Sequence, residues 1–367
     1  MPPPRGIRRA ACIGCRRRYA RQIPGPARID IAGGSRMVAA RDMLILNEDT
    51  RKPLISRYRL RSRGFLNAAS ARREFEGVLI KVGEGYGCIH PWPELGDPPL
   101  EKCLRDLQGA RRWPVVRRAL RCAEYDAAAR SREESLFEEM EVPESHATLA
   151  SADVESAELA IGAGFTRLKL KCGRDAAKER ACLEAVVSAH PEARWRLDFN
   201  ESLDPAEVRD WLAGLSDAAR RSIDFLEDPC PFSETAWAAL FRETRIPLAI
   251  DREAAPARKS AQVCVIKPAV DEPWLLAEAA LGHGQRLVVT SYMDHPLGQA
   301  FAAWEAARLG LQFPGQPGVC GLRTDVLFEP DDFTALMGGW SPVFHPPPGT
   351  GLGFDDQLDA LPWTRLY

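Results

Sequence analysis

Phe165-Thr-Arg-Leu-Lys-Leu-Lys171 is a short apolar run that turns basic at its end. Residues two apart in a strand share a face, so Lys169 and Lys171 are expected to point the same way. Outward from it, other strand-like runs end in a polar group: Arg196-Leu-Asp-Phe-Asn200, Phe225-Leu-Glu-Asp-Pro229, Leu248-Ala-Ile-Asp251 and Val263-Cys-Val-Ile-Lys267. The spacing predicts strands at 145–149, 165–171, 194–199, 223–227, 247–251, 262–267 and 286–291. Between them it predicts helices at 152–162, 175–189, 205–219, 234–244, 271–282 and 297–309. Asp204-Pro205 makes a sound helix start, because Asp caps and Pro suits the first turn. Repeated βα units imply a parallel sheet, and seven of them favour a closed, TIM-like (β/α) barrel. No GxGxxG follows a first strand, which removes the main argument for a dinucleotide-binding fold.

The 367 residues are 45% hydrophobic and 27% charged, with 49 basic against 51 acidic side chains and a formal net charge of −2. That composition fits a soluble globular protein and gives no drive toward nucleic acid or membrane. No apolar run reaches the roughly 20 residues of a bilayer span, and no signal-peptide core is evident, so a cytoplasmic protein is expected. The ten cysteines are scattered and read as reduced, buried thiols. Cys12 and Cys15 form the one close pair, weak evidence for zinc or redox chemistry. Residues 1–50, rich in Arg, read as a basic extension. Residues 51–143 read as an α+β capping domain, with strands near 59–63, 77–83 and 86–90 and helices at 100–110 and 114–139. Residues 144–345 read as the barrel, with 346–367 returning to the cap.

Barrel active sites lie at the C-terminal ends of the strands, where all these polar groups fall. Asp198, Glu227 and Asp251 offer hard oxygen ligands suited to Mg²⁺, with Mn²⁺ as an alternative. Histidine and cysteine are absent from these positions, which argues against zinc. Asn200 and Arg196, each two residues from Asp198, share its face as supporting groups. A lysine works as a base only with a lowered pKa, and neighbouring cations and burial both lower it. Lys171, with Lys169 beside it and Lys267 opposite, suggests proton abstraction α to a carboxylate, in a small-molecule carboxylate substrate.

In combination, Lys169-Leu-Lys171, Arg196 to Asn200, Glu227-Asp-Pro229, Asp251 and the Lys267 strand resemble the enolase superfamily, in its muconate-lactonising branch. Within it, Gly85 to Gly96 and Val289 to Gly298 are most similar to the o-succinylbenzoate synthase family of menaquinone biosynthesis. The resemblance implies Mg²⁺-dependent dehydration of a succinyl-hydroxycyclohexadiene carboxylate (SHCHC), a hydro-lyase reaction. Lys171 would be the base, Lys169 its support, and Lys267 a cation facing the ring of the intermediate. Ser291 and Gly298 would line the succinyl end, with the loop around Asn67 closing over it. The family often follows its third metal ligand directly with Glu. Here Arg252 intervenes before Glu253, so Asp251 and Glu253 both stay open for that place. N-acylamino-acid racemisation, dipeptide epimerisation and muconate cycloisomerisation use the same groups. A metal-free Schiff-base lyase and a non-enzymatic barrel are more distant alternatives, and the oligomeric state is not readable.

Overall fold

The computed structural model describes residues 53–64, 66, 72–251, 254 and 258–366. The basic extension with Cys12 and Cys15, Asn67 and its neighbour Phe65, and Glu253 lie outside these residues.

Three antiparallel strands open the described chain: β1 (Leu54–Arg61), β2 (Glu74–Val82) and β3 (Gly85–Ile89). Helices α1 (Leu100–Gln108) and α2 (Pro114–Arg130) follow. The buried row Val115, Val116, Ala119, Cys122 and Ala123 puts one face of α2 onto this sheet. Gly87 permits the approach, because a Cβ there would come within 2.1 Å of the Ala119 carbonyl. Helix α2 stops at Arg130, short of the expected 139. Beyond it the chain pairs with the tail instead: Leu136 N–H donates to Gly351 O at 2.7 Å and Gly351 N–H to Glu134 O at 2.8 Å.

Seven parallel strands then run in sequential order: β4 (Ala147–Leu149), β5 (Arg167–Lys171), β6 (Arg194–Asp198), β7 (Ile223–Glu227), β8 (Leu248–Ile250), β9 (Val263–Ile266) and β10 (Arg286–Val289). Helices alternate with them: α3 (Val154–Gly162), α4 (Ala176–Ala189), α5 (Pro205–Ala213), α6 (Asp217–Ser222), α7 (Glu234–Thr244), α8 (Pro273–Gly282) and α9 (Pro296–Gln312). The single helix expected over 205–219 is two. The first starts with a reciprocal cap between Asp204 and Glu207 and gives way at Gly214. Ser216 then caps a new start by accepting from Ala219 N–H. The sheet curls until residues 320–321 bridge its two edges. Cys320 N–H donates to Glu144 O and His146 N–H to Cys320 O, each at 2.7 Å. On the other side Gly321 N–H donates to Val289 O at 2.8 Å, and Ser291 N–H to Gly321 O at 3.0 Å. The fold is a (β/α) barrel with an α+β cap.

Register decides where the polar ends fall. Lys171 is opposite Asp198 on the neighbouring strand, and Asp198 is opposite Glu227, so all three stand at one level of the rim. Leu168, Leu170, Leu197 and Leu226, between the polar positions, are fully buried. Helix α10 (Asp355–Asp359) and β11 (Thr364–Arg365) end the chain, the latter pairing with β1. Among the described residues, the eight cysteines are free thiols, seven of them buried, and no helix is long and apolar enough to cross a membrane.

Candidate active site

A cavity of about 460 Å³ opens where the strands end. Its wall includes Lys169 and Lys171 from β5, Asp198 from β6, Asp251 after β8, Lys267 after β9 and Ser291 after β10. Leu95 and Glu94 reach it from the cap. Glu227 lies just beneath, 1% exposed and covered by an ammonium group.

The three amines have different company. Lys169 Nζ donates to both Glu227 oxygens at 2.7 Å and stands 3.0 Å from Asp198 Oδ2. Burial opposes its charge, but Asp198, Glu227 and Asp251 outweigh burial and raise its pKa. Lys267 is likewise paired with Asp251 Oδ2. Its pKa also rises, since Asp251 and Glu227 overcome burial. Lys171 donates instead to the neutral Leu66 carbonyl, at 2.5 Å. Burial lowers its pKa, and the charges of Lys169 and Lys267 push the same way against the pull of Asp198.

Asp198 is held low by Lys169 and Lys171 in spite of its burial. Glu227 is raised, first by burial and then by Asp198 and Asp251, with Lys169 opposing. Among the described residues, no three His, Cys, Asp or Glu side chains converge as a ready metal cage; ammonium groups stand among the acids. The donor set nevertheless suits a hard cation. It is all carboxylate oxygen, and Asp251 Oδ1 is buried with no hydrogen-bond partner among the described residues.

Asn200 braces Asp198, its Nδ2 donating to Oδ1 at 2.8 Å. Arg196 points inward one layer lower. It donates to Asp224 Oδ2 at 2.9 Å and to the Val319 carbonyl and His146 Nδ1 at 2.8 Å. Ser291 shares a 2.6 Å hydroxyl contact with Thr324. Gly298 corrects the sequence expectation, for it is not in the cavity wall. It sits in the first turn of α9, where a Cβ would come within 2.1 Å of Asp294 Oδ2, so its smallness makes room for that carboxylate.

Several residues in or beside the wall were given no role by the sequence. Thr148, one before the end of β4, shares the inward face of His146. Asp228 follows Glu227 at a positive φ of 41° and accepts from Asp251 N–H at 3.1 Å. Tyr292 joins barrel to cap, its hydroxyl donating to Asp97 at 2.9 Å and its carbonyl accepting from Trp92 Nε1 at 2.9 Å.

Comparison with known proteins matches two separate stretches of the chain. The family "O-succinylbenzoate synthase, N-terminal domain" matches residues 53–129, and "Enolase C-terminal domain-like" matches residues 152–271. A protein of Bdellovibrio bacteriovorus named o-succinylbenzoate synthase is 32% identical over 323 residues, covering 85% of this chain and 97% of that one. Among solved structures, an N-succinyl Arg/Lys racemase from Bacillus cereus superposes with a TM-score of 0.69 at 19% identity, over 84% of this chain and 97% of the other. A dipeptide epimerase from Enterococcus faecalis, complexed with Mg and the dipeptide L-Leu-L-Tyr, gives 0.69 at 15% identity, over 82% and 98%. At these identities the two structures speak for the fold.

Proposed function

The chain belongs to the o-succinylbenzoate synthase family of enolase-superfamily enzymes, and from that premise we propose that it dehydrates SHCHC to o-succinylbenzoate, as a cytoplasmic step of menaquinone synthesis. One observation carries the reading: of three lysines in one cavity, Lys171 alone is described with a carbonyl rather than a carboxylate partner and has a lowered pKa. Lowering the pKa of an amine makes its neutral, proton-accepting form easier to reach.

Asp198, Glu227 and Asp251 would hold Mg²⁺. Bound there, the cation would stabilise negative charge developing on the substrate carboxylate. Lys171 removes the proton α to that carboxylate. As an ammonium it then delivers the proton to the departing hydroxyl on the same face, so that water leaves. Lys267 faces the ring from the opposite wall, and its positive charge favours the electron-rich intermediate. Lys169 stays charged between Glu227 and Asp198 and helps lower the pKa of Lys171. Aromatisation supplies the driving force. Ser291, in the cavity wall, faces the succinyl arm.

Purified protein with Mg²⁺ should convert SHCHC to o-succinylbenzoate, and Lys171→Ala should lose at least roughly 100-fold in kcat, the scale of general-base loss. Wild-type rates in that variant sink the base assignment. Exchange of the α-proton of N-succinyl amino acids in D₂O, without SHCHC turnover, would move the protein to the racemase reading.

A further inference from the structure

The floor of the cavity holds two polar groups that the proposed chemistry does not use. His146 is 2% exposed and Thr290 6% exposed, and both are in the cavity wall. The His146 ring is fixed from below, since its Nδ1 meets Arg196 Nη1 at 2.8 Å. A guanidinium can only donate, so Nδ1 must be the acceptor and the ring proton must reside on Nε2. Arg196 cannot swing away without cost, because Asp224 and the Val319 carbonyl hold it as well. Burial, Arg196 and Lys169 all disfavour a second proton on the ring.

Nε2–H makes no hydrogen bond among the described residues, although the ring stands in the cavity wall. Thr290 Oγ1 is likewise buried without a partner among them. Both side chains crowd against Gly321: a Cβ there would come within 2.8 Å of His146 Nε2 and 2.8 Å of Thr290 Cγ2. A buried polar group left unpaired costs about 1–3 kcal/mol; Thr290 Oγ1 is such a group, and His146 Nε2, in the same cavity wall, lies beside Gly321 with it.

We propose that His146, fixed in its Nε2–H tautomer by Arg196, and the Thr290 hydroxyl form a subsite that binds an acceptor oxygen of the substrate. The ligand is a carbonyl or carboxylate oxygen on the arm remote from the reacting carbon. This rests on the reading of the cavity as a carboxylate-substrate site, but not on which member reaction it performs. His146 and Thr290 then set binding more than chemistry.

The test uses the full chain with Mg²⁺. Thr290→Val is close in shape and removes the hydroxyl. His146→Leu removes the donor, whereas His146→Gln can return one to the Nε2 position. Thr290→Val and His146→Leu should each raise KM for SHCHC by roughly 3- to 10-fold, the worth of one neutral hydrogen bond, with kcat changed less. His146→Gln should recover part of the loss. ¹⁵N-histidine NMR gives a second readout: one ring should be a pH-invariant Nε2–H tautomer whose Nε2 signal moves on adding o-succinylbenzoate but not Mg²⁺ alone.

Unchanged KM in both variants, an Nδ1–H tautomer, or an Nε2 signal that ignores bound product overturns the proposal and leaves the recess with an ordered water only. Wild-type turnover of SHCHC is the separate control. If it fails, the family reaction proposed above falls, and an N-succinyl amino acid, which also carries acceptor oxygens, takes SHCHC's place in the same measurements.

Discussion

A lysine's usefulness as a base is decided by what it touches. Lys169 and Lys267 are each locked to carboxylates, and Lys171 donates to a peptide carbonyl. The consequence is a pH dependence with a defined sign. Lys171 must be neutral to take a proton, so kcat/KM should rise with pH through its pKa, which lies below the ordinary 10.5. Replacing Lys267 by Met removes one of the charges that depress it. The rising limb should then move to higher pH, as a pH–rate profile would reveal, and a limb that stays in place or moves to lower pH counts against the mutual repulsion. The buried, unpartnered Asp251 Oδ1 carries a second expectation. Asp251→Asn should weaken activation by Mg²⁺ at least roughly ten-fold, since even changes beyond the ligands have that scale. A Mg²⁺ titration in which wild type and variant coincide would move the third ligand to Glu253.

Elements were legible where local chemistry decides them, and illegible where a distant segment does. Strands such as β8, β9 and β10 were marked by short apolar runs bounded by turn or polar residues, and burial at both faces explains those runs. The polar strand ends could be read because they interrupt them. The end of α2 could not, because its partner is Gly351, far along the chain. His146 was equally silent: a lone histidine before a strand says nothing until Arg196 is seen to fix its tautomer. Gly298 was misplaced since its family resemblance carried no information on which way the first turn of α9 faces. The glycines of β3 report helix packing, and that is testable. Gly87→Ala would push a methyl to 2.1 Å from the Ala119 carbonyl, so α2 must lift from β3. Overpacking of this kind costs about 1–3 kcal/mol, which thermal or urea unfolding would register. A Tm equal to wild type would mean that the helix has slack.

At the scale of the molecule, the seam between cap and barrel is built from buried polar groups, and it should make stability depend on pH. Tyr58, Cys88 and His90 come from the cap, and Asp294 and His295 from the loop after β10. Tyr58 Oη lies 2.9 Å from His90 Nδ1 and 3.2 Å from Cys88 Sγ, and its ring centroid is 4.6 Å from that of His295. Burial pushes Asp294 up from 3.8 to about 7, against hydrogen bonds from backbone amides, and its Oδ1 has no partner among the described residues. A carboxyl whose folded pKa exceeds its unfolded one binds more protons when folded. Stability from this group is therefore complete below pH 3.8, falls as pH rises toward about 7, and levels off above it. Asp294→Asn keeps the shape and cannot ionise, so it should flatten that part of the profile. The variant's Tm should exceed wild type's by more at pH 8 than at pH 5. The reverse ordering, or parallel profiles, would mean that Asp294 is charged in the folded protein and that a cation in the seam pays for it.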